Sequence, residues 1–190
     1  MRELTYYVAV SLDGLIAGPS GEYDAFLVEG DHAEVVLGEY ADALPAPAFA
    51  AFGITPPRTR FDTVVMGWNT LLPGLSIGLD SPYPHLRQYV ASRGGREVAS
   101  DITLTTDPVA TVRELKAEDG NLGIWLCGGG ELAGALVDEI DRLVLKRNPF
   151  VFGSGVPLFG AAPYAARSFE LVSARAFGSG VVVEEYARRP

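Results

Sequence analysis

Three consecutive glycines stand where a buried apolar run gives way to a helical pattern, in Ile124-Trp125-Leu126-Cys127-Gly128-Gly129-Gly130-Glu131-Leu132. Backbone without side chains lets a ligand come close. The first N–H groups of the helix that follows have no partner within it and favour an anion such as a pyrophosphate. The bland reading is a tight turn; three glycines in a row at a strand-to-helix junction tilt the balance toward a ligand. A second junction of the same kind, Val65-Met66-Gly67-Trp68-Asn69-Thr70, offers backbone N–H groups and the Thr70 hydroxyl. A threonine there is more often a simple cap. Ser92-Arg93, just past another apolar run, adds a guanidinium whose planar fork can give a phosphate two hydrogen bonds at once. Alone it would be a solvated strand end, and it gains force only in combination.

If the anion held there is a dinucleotide that gives up a hydride, reduction of a C=N or C=O bond also needs a proton, which a carboxylic acid in an apolar cleft can deliver. Asp24, between Tyr23 and Ala25-Phe26-Leu27, is the candidate; Asp13 beside Gly14 reads as a turn residue that bonds backbone N–H groups. Other chemistries lack their residues. His32 and His85 are far apart with no second ligand at metal-site spacing, so no metal site is expected. No G-x-S-x-G closes an apolar strand as a nucleophile elbow does, since Gly74-Leu75-Ser76-Ile77-Gly78 lies within the proline- and glycine-rich stretch, and no phosphate-binding G-x-x-x-x-G-K-[ST] is present. Gly128, Gly130 and Ala133 fit G-x-G-x-x-[GA], but the motif lies late and the next strand ends in Lys146-Arg147-Asn148 instead of an acid, which disfavours a standard Rossmann domain. Cys127 reads as a small core residue.

The elements that must hold these residues are legible in the patterning. Strands are expected at Tyr6–Val10, Thr63–Met66, Gln88–Ser92, Ile102–Thr105, Gly123–Cys127 and Arg142–Lys146, followed by a hairpin of Phe169–Ala176 and Val181–Tyr186. From Ala33, the spacing of Val36, Tyr40 and Leu44 predicts one helix, stopped by Pro45 and Pro47. Asp107-Pro108 marks a helix start, as N-cap and first helical residue, for a helix running to about Lys116. Leu132, Leu136 and Ile140 share a further helix face. Residues 53–60 and the proline- and glycine-rich stretch 73–84 read as connections. Strands alternating with helices predict an α/β fold with a mostly parallel sheet and an antiparallel C-terminal hairpin.

A chain of 190 residues suits a single domain, 1–190. The formal charge of -9, with no basic stripe, argues against nucleic acid. No apolar run reaches the ~18 residues of a membrane span. One cysteine rules out an internal disulfide and suits a reducing compartment. The apolar run after Met1-Arg2-Glu3 reads as a first strand and not as a signal peptide, so the cytoplasm is the expected location.

Four segments, in this order, resemble the dihydrofolate reductase-like superfamily: Ser11-Leu12-Asp13-Gly14-Leu15-Ile16-Ala17, Phe61-Asp62-Thr63-Val64-Val65-Met66-Gly67, Leu126 to Leu132, and Pro149 to Phe159 with its Phe152-Gly153-Ser154-Gly155. The match is closest to the C-terminal reductase domain of the bifunctional riboflavin-biosynthesis deaminase-reductase and its stand-alone relatives. The resemblance implies a three-layer α/β/α fold with NADPH across the sheet edge, a small polar or heterocyclic substrate and a homodimer, with Val156-Pro157-Leu158-Phe159 either at the interface or in the core. By position, the backbone of Ala9 and Ile16 would hold the nicotinamide carboxamide. Gly67, Trp68, Asn69 and Thr70, and Gly128, Gly129, Gly130, Glu131 and Leu132, would meet the phosphates. Ser92 and Arg93 would lie near the adenosine 2′-phosphate, and Asp24 near the family's acid. Trp68 stands where the family usually has Arg. Losing a charged hydrogen bond of roughly 1.5–3 kcal/mol would weaken NADPH about ten- to a hundredfold and leave NADH possible. Two functions follow: an NAD(P)H-dependent reductase, or a non-catalytic dimeric binding module that retains the fold with a weakened cofactor site.

Overall fold

Alternate residues of Leu4-Thr5-Tyr6-Tyr7-Val8-Ala9-Val10 enter two different cores: Leu4, Tyr6 and Val10 one, Tyr7 the other. A strand apolar on both faces belongs in the interior of a sheet. In the computed structural model, which describes residues 1–160 and 162–189, this strand, β1 (Leu4–Val10), lies between two parallel neighbours. The other main strands are β3 (Phe61–Gly67), β4 (Arg87–Ala91), β5 (Ile102–Thr105), β6 (Gly123–Gly128), β7 (Arg142–Arg147), β9 (Phe169–Ala176) and β10 (Val182–Arg188). Their order across the sheet is β5-β4-β3-β6-β1-β7-β10-β9, parallel from β5 to β7, with β10 and β9 antiparallel. The expected α/β architecture is therefore present.

Helices α1 (Ala33–Gly38), α2 (Ala46–Phe52) and α3 (Trp68–Ser76) accompany one face of the sheet. There Tyr7, Val35, Phe49, Phe61, Leu71 and Trp125 are buried. Helices α4 (Pro108–Ala117) and α5 (Gly130–Ala135) cover the other, through Val112, Leu115, Leu132, Ala133 and Leu136. Asp107 caps α4 as expected, accepting a hydrogen bond from the Ala110 N–H at 3.0 Å.

The single helix expected from Ala33 to Leu44 is broken. It ends at Gly38 and is followed by a 3-10 turn, Ala41–Ala43. The reason lies in the two residues that turn inward. Tyr40 stacks on Tyr7, ring centroids 4.4 Å apart. Asp42, 1% exposed, accepts hydrogen bonds from four successive backbone N–H groups, those of Arg58, Thr59, Arg60 and Phe61, at 2.7–3.1 Å. No continuous helix puts both side chains there. Pro47 does not stop a helix but occupies the first turn of α2, where its missing N–H costs nothing. Pro73 likewise lies inside α3 and not in a loop, deleting one hydrogen bond from a short helix. Asp42→Ala should strand those four donors and destabilise the fold by about 3 kcal/mol or more, read as a lower urea midpoint.

A small second sheet, β2 (Leu15–Ala17) against β8 (Val156–Pro157), went unsignalled by pattern because both strands are very short. The Asp13 carboxylate does bond backbone N–H groups, but those of Phe152 and Gly153 across the chain, at 3.2 and 2.7 Å. A hydrogen bond from the Ser11 hydroxyl, together with these two, holds its carboxyl below the usual range. In the segment that carries β8, Leu158 and Phe159 are partly buried against the core on the α5 side while Pro157 stays exposed, and the Tyr6 hydroxyl donates to the Leu158 carbonyl at 3.0 Å.

Candidate active site

Strands β3 and β6 are parallel neighbours, and Met66 is in register with Gly128. The chain leaves them toward opposite faces, into α3 from β3 and into α5 from β6. Adjacent strands whose connections diverge leave a crevice at their carboxyl ends, the usual place for a ligand in such sheets. The two glycine turns form its walls. A Cβ placed on Gly67 would lie 3.6 Å from the Gly129 nitrogen and 3.7 Å from the Gly128 oxygen. One placed on Gly129 would lie 3.6 Å from the Thr70 Oγ1. Neither helix has a side-chain N-cap, so the N–H groups behind Gly67 and Gly129 face the crevice without a competing oxygen. Gly128 has φ +131°, a conformation that requires glycine.

Past the adjoining strand β4, Arg93 reaches Glu131 of α5 at 3.6 Å, both side chains exposed. Ser92 keeps its hydroxyl on the Gly94 carbonyl at 3.0 Å. The tertiary structure adds a residue that sequence reading missed: the Arg96 guanidinium lies 4.8 Å from the centroid of the Trp68 ring. The cation absent at position 68 is thus present above it. The available signal was the Arg93-x-x-Arg96 spacing on one loop. Leu132 needs correcting: its side chain is core, 8% exposed, and only its backbone remains for a ligand.

On the other side of β1, a cavity of about 280 Å³ is lined by Val8, Ala9, Ile16, Tyr23, Asp24, Phe26 and Val28. Ala9 and Ile16, assigned to the nicotinamide by position, thus meet Asp24 in one space. The loop carrying Asp24 is pinned by Phe26, whose ring packs on Phe150 and Phe152, and by the Leu27 N–H, which donates to the buried Asn148 side chain at 3.0 Å. The lining is apolar as expected, but the carboxylate stands on an exposed rim and not within the cleft.

With this geometry in view, comparison with known proteins is decisive. The profile of the RibD C-terminal domain matches residues 2–183. The chain belongs to the RibD C-terminal domain family. Among curated relatives of this domain, YwjB of Bacillus subtilis (strain 168) is 31% identical over 166 residues, covering 83% of each chain. YyaP of the same organism is 27% identical over 195 residues, covering 95% of this chain and 92% of its own. A Shewanella sp. PV-4 "putative riboflavin biosynthesis protein" superposes over the whole of both chains with TM-score 0.70 and 28% identity. A diaminohydroxyphosphoribosylaminopyrimidine deaminase/5-amino-6-(5-phosphoribosylamino)uracil reductase of Thermotoga maritima matches 99% of this chain and 57% of its own, with TM-score 0.68. At 15% identity that likeness speaks for fold alone. The RibD C-terminal family is reductase-like, and its dihydrofolate reductase-like fold is the one described above. Among the described residues no helix is long and apolar enough to cross a membrane. No group of three or more His, Cys, Asp or Glu among them is arranged to hold a metal ion.

Proposed function

We propose that this RibD C-terminal domain is an NAD(P)H-dependent reductase that transfers hydride to a small polar or heterocyclic substrate. The observation that carries the reading is the abutment of the two glycine turns. Bare backbone at 67–70 and at 128–131 lines one crevice whose walls any side chain on Gly129 would fill. A pyrophosphate suits that cradle. Arg93 and Arg96 stand where the adenosine phosphate would lie, and Trp68 offers an adenine a flat face. The backbone of Ala9 and Ile16 would orient the nicotinamide at the mouth of the cavity, and the apolar wall of Val8, Phe26 and Val28 would exclude water from the substrate. The bound dinucleotide supplies the hydride; the chain supplies position and the proton.

Titration of the purified protein with NADPH should quench the fluorescence of Trp68 and give a calorimetric heat. No signal at millimolar cofactor rejects the reading and leaves a binding module that has lost the cofactor. Trp68→Arg should tighten NADPH about tenfold by restoring a charged hydrogen bond. An affinity that does not rise would favour the non-catalytic binding module.

A further inference from the structure

Among the described residues, one interior cation has no acceptor. Every basic side chain is arginine except Lys116 and Lys146. Lys116 is fully engaged, donating to the Glu139 carbonyl at 2.8 Å and to the Asp141 carboxylate at 2.9 Å. Lys146, on β7, has no hydrogen-bond or ion-pair acceptor among the described residues. Its nitrogen rests 4.5 Å from the centroid of the Tyr7 ring and close to the Cys127 thiol on β6. An aromatic face attracts an ammonium but offers no lone pair, so three N–H donors remain unspent. The one sealed and unpartnered side-chain polar atom among the described residues is the Tyr7 hydroxyl. The Lys146 ammonium, also without an acceptor, therefore keeps open space before it.

Lys146 does not itself line the substrate cavity, but it adjoins two residues that do, Ala9 and, through Tyr83, Tyr23. Lys146 is the register partner of Ala9 across β1 and β7, so both side chains leave the same face of the sheet, and Ala9 lines the cavity. The groups around the ammonium are Tyr7 from β1, Cys127 from β6, Tyr83, whose hydroxyl lies 3.9 Å from the Cys127 sulfur, and Tyr23 beside Tyr83 at the rim. On β10, Glu185 leaves the same face two residues from Val183, the register partner of Lys146, but it is engaged by Arg142 at 3.1 Å; Asp24 stands exposed at the rim.

We infer that the Lys146 ammonium binds the carbonyl oxygen or imine nitrogen of the substrate and protonates it as hydride arrives at the adjoining carbon. The inference rests on the reductase reading. In the step, the π bond of C=O or C=N opens and the hydride brings both electrons of the new C–H bond. The heteroatom takes its proton from Lys146. The substrate is reduced, the nicotinamide is oxidised, and the neutral amine recovers a proton from water at the cavity mouth. Burial pushes the Lys146 ammonium down to about 8, close to the value a general acid needs near neutral pH.

Three measurements on the intact chain decide this. NADPH binding by wild type and Lys146→Met tests the reductase reading by itself, because Lys146 lies outside the phosphate crevice. NADPH oxidation is then followed with 1-pyrroline, 3,4-dihydroisoquinoline, benzaldehyde and methylglyoxal as acceptors. Lys146→Met should lower kcat about 100-fold or more with little change in cofactor affinity, and the fall of wild-type activity above pH 8 should vanish. Asp24→Asn should cost less. Finally, benzaldehyde with cyanoborohydride, read by peptide mass spectrometry, should tag Lys146 at least tenfold faster than Lys116. Bound NADPH with a variant that keeps its activity and its alkaline limb overturns the role of Lys146 and leaves the reductase reading standing. Absent NADPH binding sinks the reductase reading. If no acceptor turns over, the tagging decides: an unlabelled Lys146 refutes its opening to the cavity, and preferential labelling upholds it.

Discussion

Alanine at Gly130 should cripple folding, whereas alanine at Gly129, one residue away, should leave folding nearly intact and abolish nucleotide binding. A Cβ on Gly130 would stand 2.1 Å from the Pro157 carbonyl oxygen and 3.2 Å from the Gly160 nitrogen. Both are backbone atoms of the segment that carries β8, so no side chain can swing aside. Either α5 lifts from the sheet or the 156–160 segment does, and both are seated on the same core. Overpacking of this kind costs typically 1–3 kcal/mol where side chains can adjust; against rigid backbone, about 3 kcal/mol or more is expected. Gly129 has φ -92°, open to any residue, and its nearest neighbour for an added Cβ is the Thr70 hydroxyl at an ordinary 3.6 Å. The methyl group would fit, but it would stand in the crevice where the pyrophosphate is proposed to lie. Urea denaturation and calorimetry with NADPH separate the two effects. Equal stability losses at both positions, or undiminished NADPH affinity in Gly129→Ala, would remove the glycine crevice as the cofactor site.

Lys146→Met should make the protein more stable while disabling it. Burial holds the folded-state value of Lys146 at about 8, against 10.5 for the free side chain. Below pH 8 both folded and unfolded chains carry the proton, and the folded state bears the full cost of an unpaired interior cation. Between pH 8 and 10.5 the unfolded chain binds more protons, so wild-type stability gains as pH rises through that window. The relief is complete above 10.5 and is lost again as pH falls to 8. Methionine has similar length and no charge. With allowance for the part of the lysine stem that still meets water, the variant should be about 2–3 kcal/mol more stable at pH 7, and the difference should shrink toward zero by about pH 11. Comparing the two chains at each pH cancels the titration of Tyr7, Tyr83 and Cys127, all of which burial pushes upward. A variant less stable than wild type at pH 7 would mean that Lys146 is a structural tie. A stabilised variant that loses turnover is the signature of a group placed for chemistry at the expense of the fold.

Local chemistry made much of this protein legible before any coordinates. Runs of Val, Ile, Leu and Tyr named the interior strands, because a strand buried on both faces has no room for polar residues; the exposed edge strand β9 was legible only as half of a hairpin with β10. Gly67, Gly128, Gly129 and Gly130 stood out because glycine between strand and helix exposes backbone whatever the rest of the chain does. The split of the first helix was hidden, since Asp42 and Tyr40 act on partners well removed in sequence, Arg58 to Phe61 and Tyr7. The packing of Leu158 and Phe159 against the core was hidden for the same reason, being decided by contact with α5.

The sequence by itself determined the α/β class, the two glycine turns and the Asp24 loop, because each is written in residues adjacent along the chain. Only the tertiary structure decided that the two turns share one crevice, that Arg96 covers Trp68 and that Lys146 has no acceptor among the described residues. Those relations arise from strand order: β6 inserts between β3 and β1, and β7 pairs with β1. Which strands become neighbours is set by how whole faces bury against one another, and no local run of residues carries that information.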